Sequence, residues 1–165
     1  LYRALALDQE GNEEEASKLF RSSFEILNGD GILADDYFPL LREAGQVEEH
    51  DRNFRIVYER LGKSIAAYPR AHNTYNSAAW MASRACRELP DAMRKIEKAL
   101  AMRPRQAAYL DTMAEVWFAK GDRGKAVEWS RKAVRDSFHG GSGSEAGVGL
   151  REQYDRFVSG EFPVP

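Results

Sequence analysis

The sequence predicts an all-α chain built from pairs of antiparallel helices. Three observations lead there. Apolar residues recur at helical spacing along most of the chain, several small and aromatic residues repeat at a fixed interval, and Gly11, Gly45 and Gly121 stand where three of the helix pairs should turn. The interval is consistent. Gly11 and Gly45, Ala16 and His50, Phe20 and Phe54, and Phe24 and Tyr58 are each 34 residues apart, as are Ala92 and Ala126, and Ala99 and Ala133. Ala79 to Ala114 and Pro69 to Pro104 are 35 apart. One extra residue in the turn between Ala79 and Ala92 reconciles the two values.

Residues 1–30 open with Ala4, Gly11 and Ala16. Asn12 can cap a second helix, and Glu15 can reach back to it as in a capping box. Residues 31–71 carry Gly45 at the turn, then the apolar series Phe54, Val57, Tyr58, Leu61 and Ile65. That series outlasts its counterparts by about seven residues, which predicts a second helix lengthened by about two turns. Residues 72–106 form the next pair. In residues 107–140 a helix over Ala107–Lys120 is broken at Gly121-Asp122 and resumes over Arg123–Arg135. Gly121 can take the left-handed conformation that ends a helix, and Asp122 can cap the next one. His139–Ser144 is rich in Gly and Ser and predicts a flexible turn. Beyond it, Leu150, Tyr154, Phe157 and Val158 share one face of a helix over residues 149–159, closed by Gly160 and Pro163.

Composition sets the outer limits. The chain has 165 residues, 43% hydrophobic and 30% charged, so it is long enough for a sizeable core and unlike a disordered protein. No apolar run approaches the roughly 20 residues of a membrane span, and the N-terminus lacks a signal-peptide pattern. Cys86 is the one cysteine, which excludes an intrachain disulfide and a Cys-based zinc cage. A lone cysteine fits a cytoplasmic protein and leaves a periplasmic one open. The net charge of −2 averages three unlike blocks: net −8 over residues 1–50, +9 over 51–135 and −3 over 136–165.

These features resemble the tetratricopeptide repeat (TPR) family. The family's small, aromatic, Gly, Ala and Pro positions are matched in 107–140 by Ala114, Trp117, Gly121, Ala126 and Ala133, and in 72–106 by Ala79, Ala92, Ala99 and Pro104. Residues 1–30 look like a repeat entered part-way. In 31–71, Phe38 and His50 occupy the two small packing positions, so that pair is expected to splay. The resemblance implies a right-handed superhelical solenoid of antiparallel helix pairs over residues 1–140. Residues 141–165 would supply the Gly/Ser turn and a capping helix with a polar outer face. A repeat entered part-way, with no cap before it, also implies the C-terminal piece of a longer protein.

In that family the first helices line a concave groove. Carried onto this chain, the groove positions are Asn73, Asn76, Trp80, Ser83 and Arg84 in one pair, and Ala108, Asp111, Glu115, Phe118 and Ala119 in the next. In 31–71 they include Asp35 and Arg42. Asn side chains can hold an extended peptide by its backbone amides. Trp80 would add a flat apolar contact, and the sequence leaves open whether it faces the groove or is buried against the neighbouring repeat. Relatives that grip chaperone C-terminal carboxylates carry Lys and Arg where this chain has Asp111 and Glu115. Those two acids, one helical turn apart, suit a basic or hydrogen-bond-donating ligand instead.

Catalytic signals are lacking. His50, His72 and His139 have no metal-ligand spacing, and no metal or cofactor is expected. His50 reads as a packed core histidine. Cys86 reads as an incidental surface thiol, although Arg84 and Arg87 stand near enough to lower its pKa. Gly140–Ser144 lacks the strand and the Lys of a phosphate loop, and Asp35-Asp36 reads as a helix start. Arg94, Lys95, Lys98, Lys125, Arg131, Lys132 and Arg135 fall on outward-facing second helices; interrupted by Glu97 and Glu128 and without interleaved aromatics, they read as a solvated face rather than a nucleic-acid surface. The expected function is therefore non-catalytic binding of a protein or peptide. Docking on an adjacent domain of the parent chain, and RNA binding by the basic second helices, are the alternatives.

Overall fold

The structure, a computed structural model, describes residues 1–26, 30–139 and 145–160. These residues are helical, with no strand among them. In chain order they form α1 (Tyr2–Gln9), α2 (Glu13–Ile26) and α3 (Asp30–Ile32), which continues through a π-helical segment (Leu33–Tyr37) into α4 (Phe38–Glu43). Then follow α5 (Val47–Ala67), α6 (His72–Arg84), α7 (Leu89–Met102), α8 (Ala107–Ala119), α9 (Arg123–His139) and α10 (Glu145–Ser159). None is long and apolar enough to cross a membrane.

Four turns share one geometry. Gly11, Gly45, Cys86 and Gly121 have φ of +82°, +67°, +53° and +83°. Each of their amides donates to the carbonyl three residues back, and the following amide donates five residues back: Asn12 to Leu7, Gln46 to Leu41, Arg87 to Ala82, Asp122 to Trp117. This closure satisfies carbonyls that the end of a helix leaves without partners, and it requires a left-handed residue at the turn. Cys86 supplies that conformation without being glycine. The hairpin at Cys86 also has a four-residue connection, one longer than the others, and its additional left-handed residue is Glu88 at φ +53°. In the last hairpin the Lys125 amide donates to Asp122 Oδ1 at 3.0 Å, capping α9. Between hairpins, Pro69 and Pro104 follow the ends of α5 and α7, where a residue without an N–H cannot continue the helix.

Small residues sit where helices meet. Ala4, Ala16, Ala79, Ala92, Ala99, Ala114, Ala126 and Ala133 are all fully buried. The pair formed by α4 and α5 is filled differently, by aromatic rings. Phe38 lies edge-on to His50 at 5.2 Å and to Phe54 at 6.0 Å, Phe24 meets Tyr37 at 5.5 Å, and Phe54 stacks on Tyr58 at 5.0 Å. His50 is buried and bonded through Nδ1 to Asp51 at 2.9 Å. The second helix here, α5, runs 21 residues against 14 in α2 and α7.

Three local features differ from expectation. The π-helical segment was not anticipated, yet Pro39 carries its signal. Proline cannot supply the amide that the Asp35 carbonyl would accept in an α-helix, and widening the preceding turn relieves the clash. That carbonyl accepts instead from Arg84 Nη2 at 3.4 Å. Helix α9 reaches His139, four residues past Arg135, so His139 belongs to a helix and not to the Gly/Ser turn. Residues 140–144, the rest of that turn, lie outside the described residues, as do 161–165 with Pro163. Helix α10 begins at Glu145, a turn earlier than residue 149.

Helix α10 packs on the last hairpin. Phe157 is fully buried with its ring 5.1 Å from that of Phe118, while Val158 at the end of the same helix is exposed. Arg123, at the start of α9, donates to the carbonyls of Val158 at 2.8 Å and Gly160 at 2.5 Å. A guanidinium there satisfies carbonyls at the negative end of the α10 dipole.

Candidate functional site

Asn76, Trp80 and Arg84 recur every four residues on α6 and so form one stripe along that helix. Asp111 and Glu115 do the same on α8, and the two stripes face each other: Arg84 Nη1 is 3.4 Å from Glu115 Oε1. A third wall comes from α10, through Leu150, Gln153 and Arg156. The resulting site has a sealed end and an open one.

At the sealed end Glu115 is 1% exposed and lies between two guanidiniums. Arg84 reaches it from α6, and Arg156 donates to its Oε2 from α10. Arg84 also stands 3.7 Å from Asp35 Oδ1. Two charges of one sign beside a buried carboxylate offset part of the cost of burying it.

At the open end is a cavity of about 500 Å³ between α6, α8 and α10, lined by Asn76, Trp80, Asp111, Thr112, Leu150 and Gln153 among others. Two acceptors here have no hydrogen-bond partner, Asn76 Oδ1 and Asp111 Oδ1, and both are buried. Burial, reinforced by the nearby Glu115 charge, pushes the Asp111 carboxyl up to about 7; Arg156 and Arg84 oppose the shift, and Asp35 adds to it. Both guanidiniums are engaged by Glu115, so they temper the potential at Asp111 without bonding to it.

Trp80 is half-buried. Its indole N–H donates to Asp35 Oδ1 at 2.8 Å, its ring forms part of the cavity wall, and the Arg84 guanidinium lies 5.8 Å from the ring centre. One edge of the ring is thus bonded to the π-helical segment, and the ring borders the cavity.

The remaining site residues separate. Asn73 is exposed on the first turn of α6 and is not part of the cavity wall. Glu115 was expected to be a groove acid equivalent to Asp111, but it is sealed and internally paired, so it is corrected here to a structural anchor. Arg84 joins the π-helical segment to α8 and is largely shielded by doing so.

Cys86 is also corrected, from a surface thiol to a buried one at 6% exposure. Arg42 Nη1 lies 3.4 Å from its Sγ and donates to the Arg84 carbonyl at 2.8 Å. Burial pushes the thiol up despite the three arginines nearby, the opposite of nucleophile activation. His72 bonds through Nδ1 to the Tyr109 hydroxyl at 2.5 Å. Among the described residues, no group of three or more His, Cys, Asp or Glu is placed to hold a metal ion.

Several lysines of the basic helices are laid over aromatic rings: Lys95 over Tyr58 and Lys98 over Tyr75, both at 4.6 Å, Lys125 over Trp117 at 3.9 Å and Lys132 over Trp129 at 4.1 Å. In each case the ammonium nitrogen itself lies over the ring face, a cation–π arrangement. These rings are faced from within the molecule rather than by a ligand.

No family model matches the chain. Neither a curated protein nor a solved structure matches it. What the site can do follows from its geometry alone. The part that sequence reading missed is the α10 wall, where Leu150, Gln153 and Arg156 stand three apart on a helix taken only as a cap; that spacing was the available signal.

Proposed function

We propose that the chain is a non-catalytic peptide-binding module, a TPR-like array of helical hairpins that holds an extended segment of a partner protein between α6, α8 and α10. The observation that carries this reading is the open cavity with two buried, unpartnered acceptors beside the exposed face of Trp80. A peptide brings what such a wall lacks: backbone and side-chain donors, together with apolar surface. The placement of charge is consistent with it, because the acid Asp111 lines the cavity while Lys95, Lys98, Lys125 and Lys132 of α7 and α9 lie over rings elsewhere.

Selection of a displayed random-peptide library against the isotopically labelled protein tests this. Enriched peptides are expected to bind competitively and to shift the backbone and side-chain resonances of Asn76, Trp80, Thr112 and Leu150. Enriched peptides that shift only residues remote from this cavity would overturn the assignment.

A further inference from the structure

The cavity's charge is one-sided, with the acid Asp111 among neutral polar residues that include Gln106 and Gln153. Asn76 Oδ1 and Asp111 Oδ1 are acceptors, contributed by different helices, and no lysine or arginine is among the residues that line the cavity. An anionic group would find no cation there, and an apolar group would leave both acceptors unpartnered, each at the full cost of burial without a bond. A compact cationic donor fits the one acid of this wall. The apolar part of that wall, Trp80 and Leu150 with Ala107 and Ala108, suits an alkyl stem leading to it. Among natural side chains lysine has this form: four methylenes and three rotatable donors.

We propose that the cavity receives a single lysine side chain of the bound peptide, its ammonium donating to the Asp111 carboxylate and its stem lying between Trp80 and Leu150. The inference rests on the peptide-binding reading above and specifies what that site selects. Arginine fits less well, because its planar fork favours a carboxylate that presents both oxygens, and Asp111 Oδ1 is buried.

A pH dependence follows. Asp111 is faced by Glu115 on its own helix, Arg84 on α6, Asp35 in the π-helical segment and Arg156 on α10. With those charges around it the Asp111 carboxyl stands at about 7, so without an ammonium beside it the group is protonated for part of the time near neutrality. An ammonium needs the carboxylate ionised, so binding displaces that proton. Affinity therefore rises with pH, by about tenfold between pH 6 and pH 8 for a single group titrating at about 7.

The test uses the blocked pentapeptide Ala-Ala-Lys-Ala-Ala and its norleucine and glutamate counterparts, titrated against the labelled protein by NMR at pH 6 and pH 8. The lysine peptide is expected to shift Asn76, Trp80 and Leu150, to bind at least tenfold more tightly than the norleucine peptide at pH 8, and to lose most of that advantage at pH 6. Asp111→Asn, which keeps the shape of the side chain, should remove both the preference and its pH dependence while the variant still unfolds cooperatively. Equal binding of lysine and norleucine peptides in the cavity would overturn the lysine assignment and leave the peptide-binding reading standing. Absence of cavity shifts with all three peptides, together with a library selection that enriches nothing at this site, would overturn both.

Discussion

Arg156 on α10 donates to the carboxylate of Glu115 on α8, and that carboxylate is 1% exposed. The pair ties the C-terminal helix to the interior of the last hairpin, and Arg84 completes it from α6 at 3.4 Å. One ion triad thus links three helices at the sealed end of the cavity.

Removing one partner should cost more than removing the charge. Arg156→Ala leaves Glu115 buried with Arg84 alone, and breaking a buried pair in this way costs on the order of 3 kcal/mol, less here because Arg156 is about a third exposed. Arg156→Ala combined with Glu115→Gln should recover part of that loss. Urea unfolding of the single and double variants measures the coupling. A strictly additive result would mean the pair contributes no specific interaction.

The Asp111 carboxyl has the opposite character, with a folded-state pKa raised to about 7. The folded protein binds this proton more tightly than the unfolded chain, so stability falls as pH rises from the ordinary carboxylate range near roughly 4 through about 7, then levels off. Asp111→Asn has no such dependence. It should be more stable than the parent above pH 7, by about 4 kcal/mol at most, with the gain vanishing near pH 4. Thermal or urea unfolding across pH 4–8 tests the sign. A gain that grows toward acid would refute it.

Gly121 offers a clean backbone test. Its φ is +83°, and a Cβ added there would meet nothing within 4 Å. Gly121→Ala should therefore destabilise the fold by about 1–2 kcal/mol through the left-handed conformation alone. Equilibrium unfolding of this variant, compared with an alanine at Gly62 in the interior of α5, separates the conformational cost from ordinary helix propensity. Comparable losses are not expected, since Gly62→Ala should stabilise.

Cys86 should be chemically quiet in the folded state. It is buried, and burial holds its pKa above the ordinary thiol value. With an aromatic disulfide reagent at pH 8, the native protein should react at least a hundredfold more slowly than the same protein in denaturant. A native rate close to the denatured one would place the thiol at the surface after all.

Much of this architecture was legible because its determinants are local. Gly121 and Asp122 announce a turn and a cap by their own conformational preferences, and Pro69 and Pro104 mark where second helices stop. The interval between Ala79 and Ala114 located the one-residue excess that the structure places in the Cys86–Glu88 turn. The π-helical segment was not legible, because it depends on Pro39 falling four residues after the Asp35 carbonyl within a run whose apolar spacing is that of an ordinary helix.

The site was legible only in part. Asn76, Trp80 and Asp111 meet at the cavity, whereas Glu115, one turn from Asp111 and of the same chemistry, does not. Helical spacing places both acids on one face; it says nothing of what closes over that face. The closing helix is α10, whose Arg156 is 41 residues from Glu115 in sequence.

The sequence by itself determined the helices, the recurrent turns and the order in which hairpins follow one another, because each depends on residues within a few positions. Only the tertiary structure decided which acid is an anchor and which an open acceptor. That outcome depends on desolvation and on partners brought from distant segments: Arg84 and Arg156 converge on Glu115, while Asp111 is buried without a cation of its own.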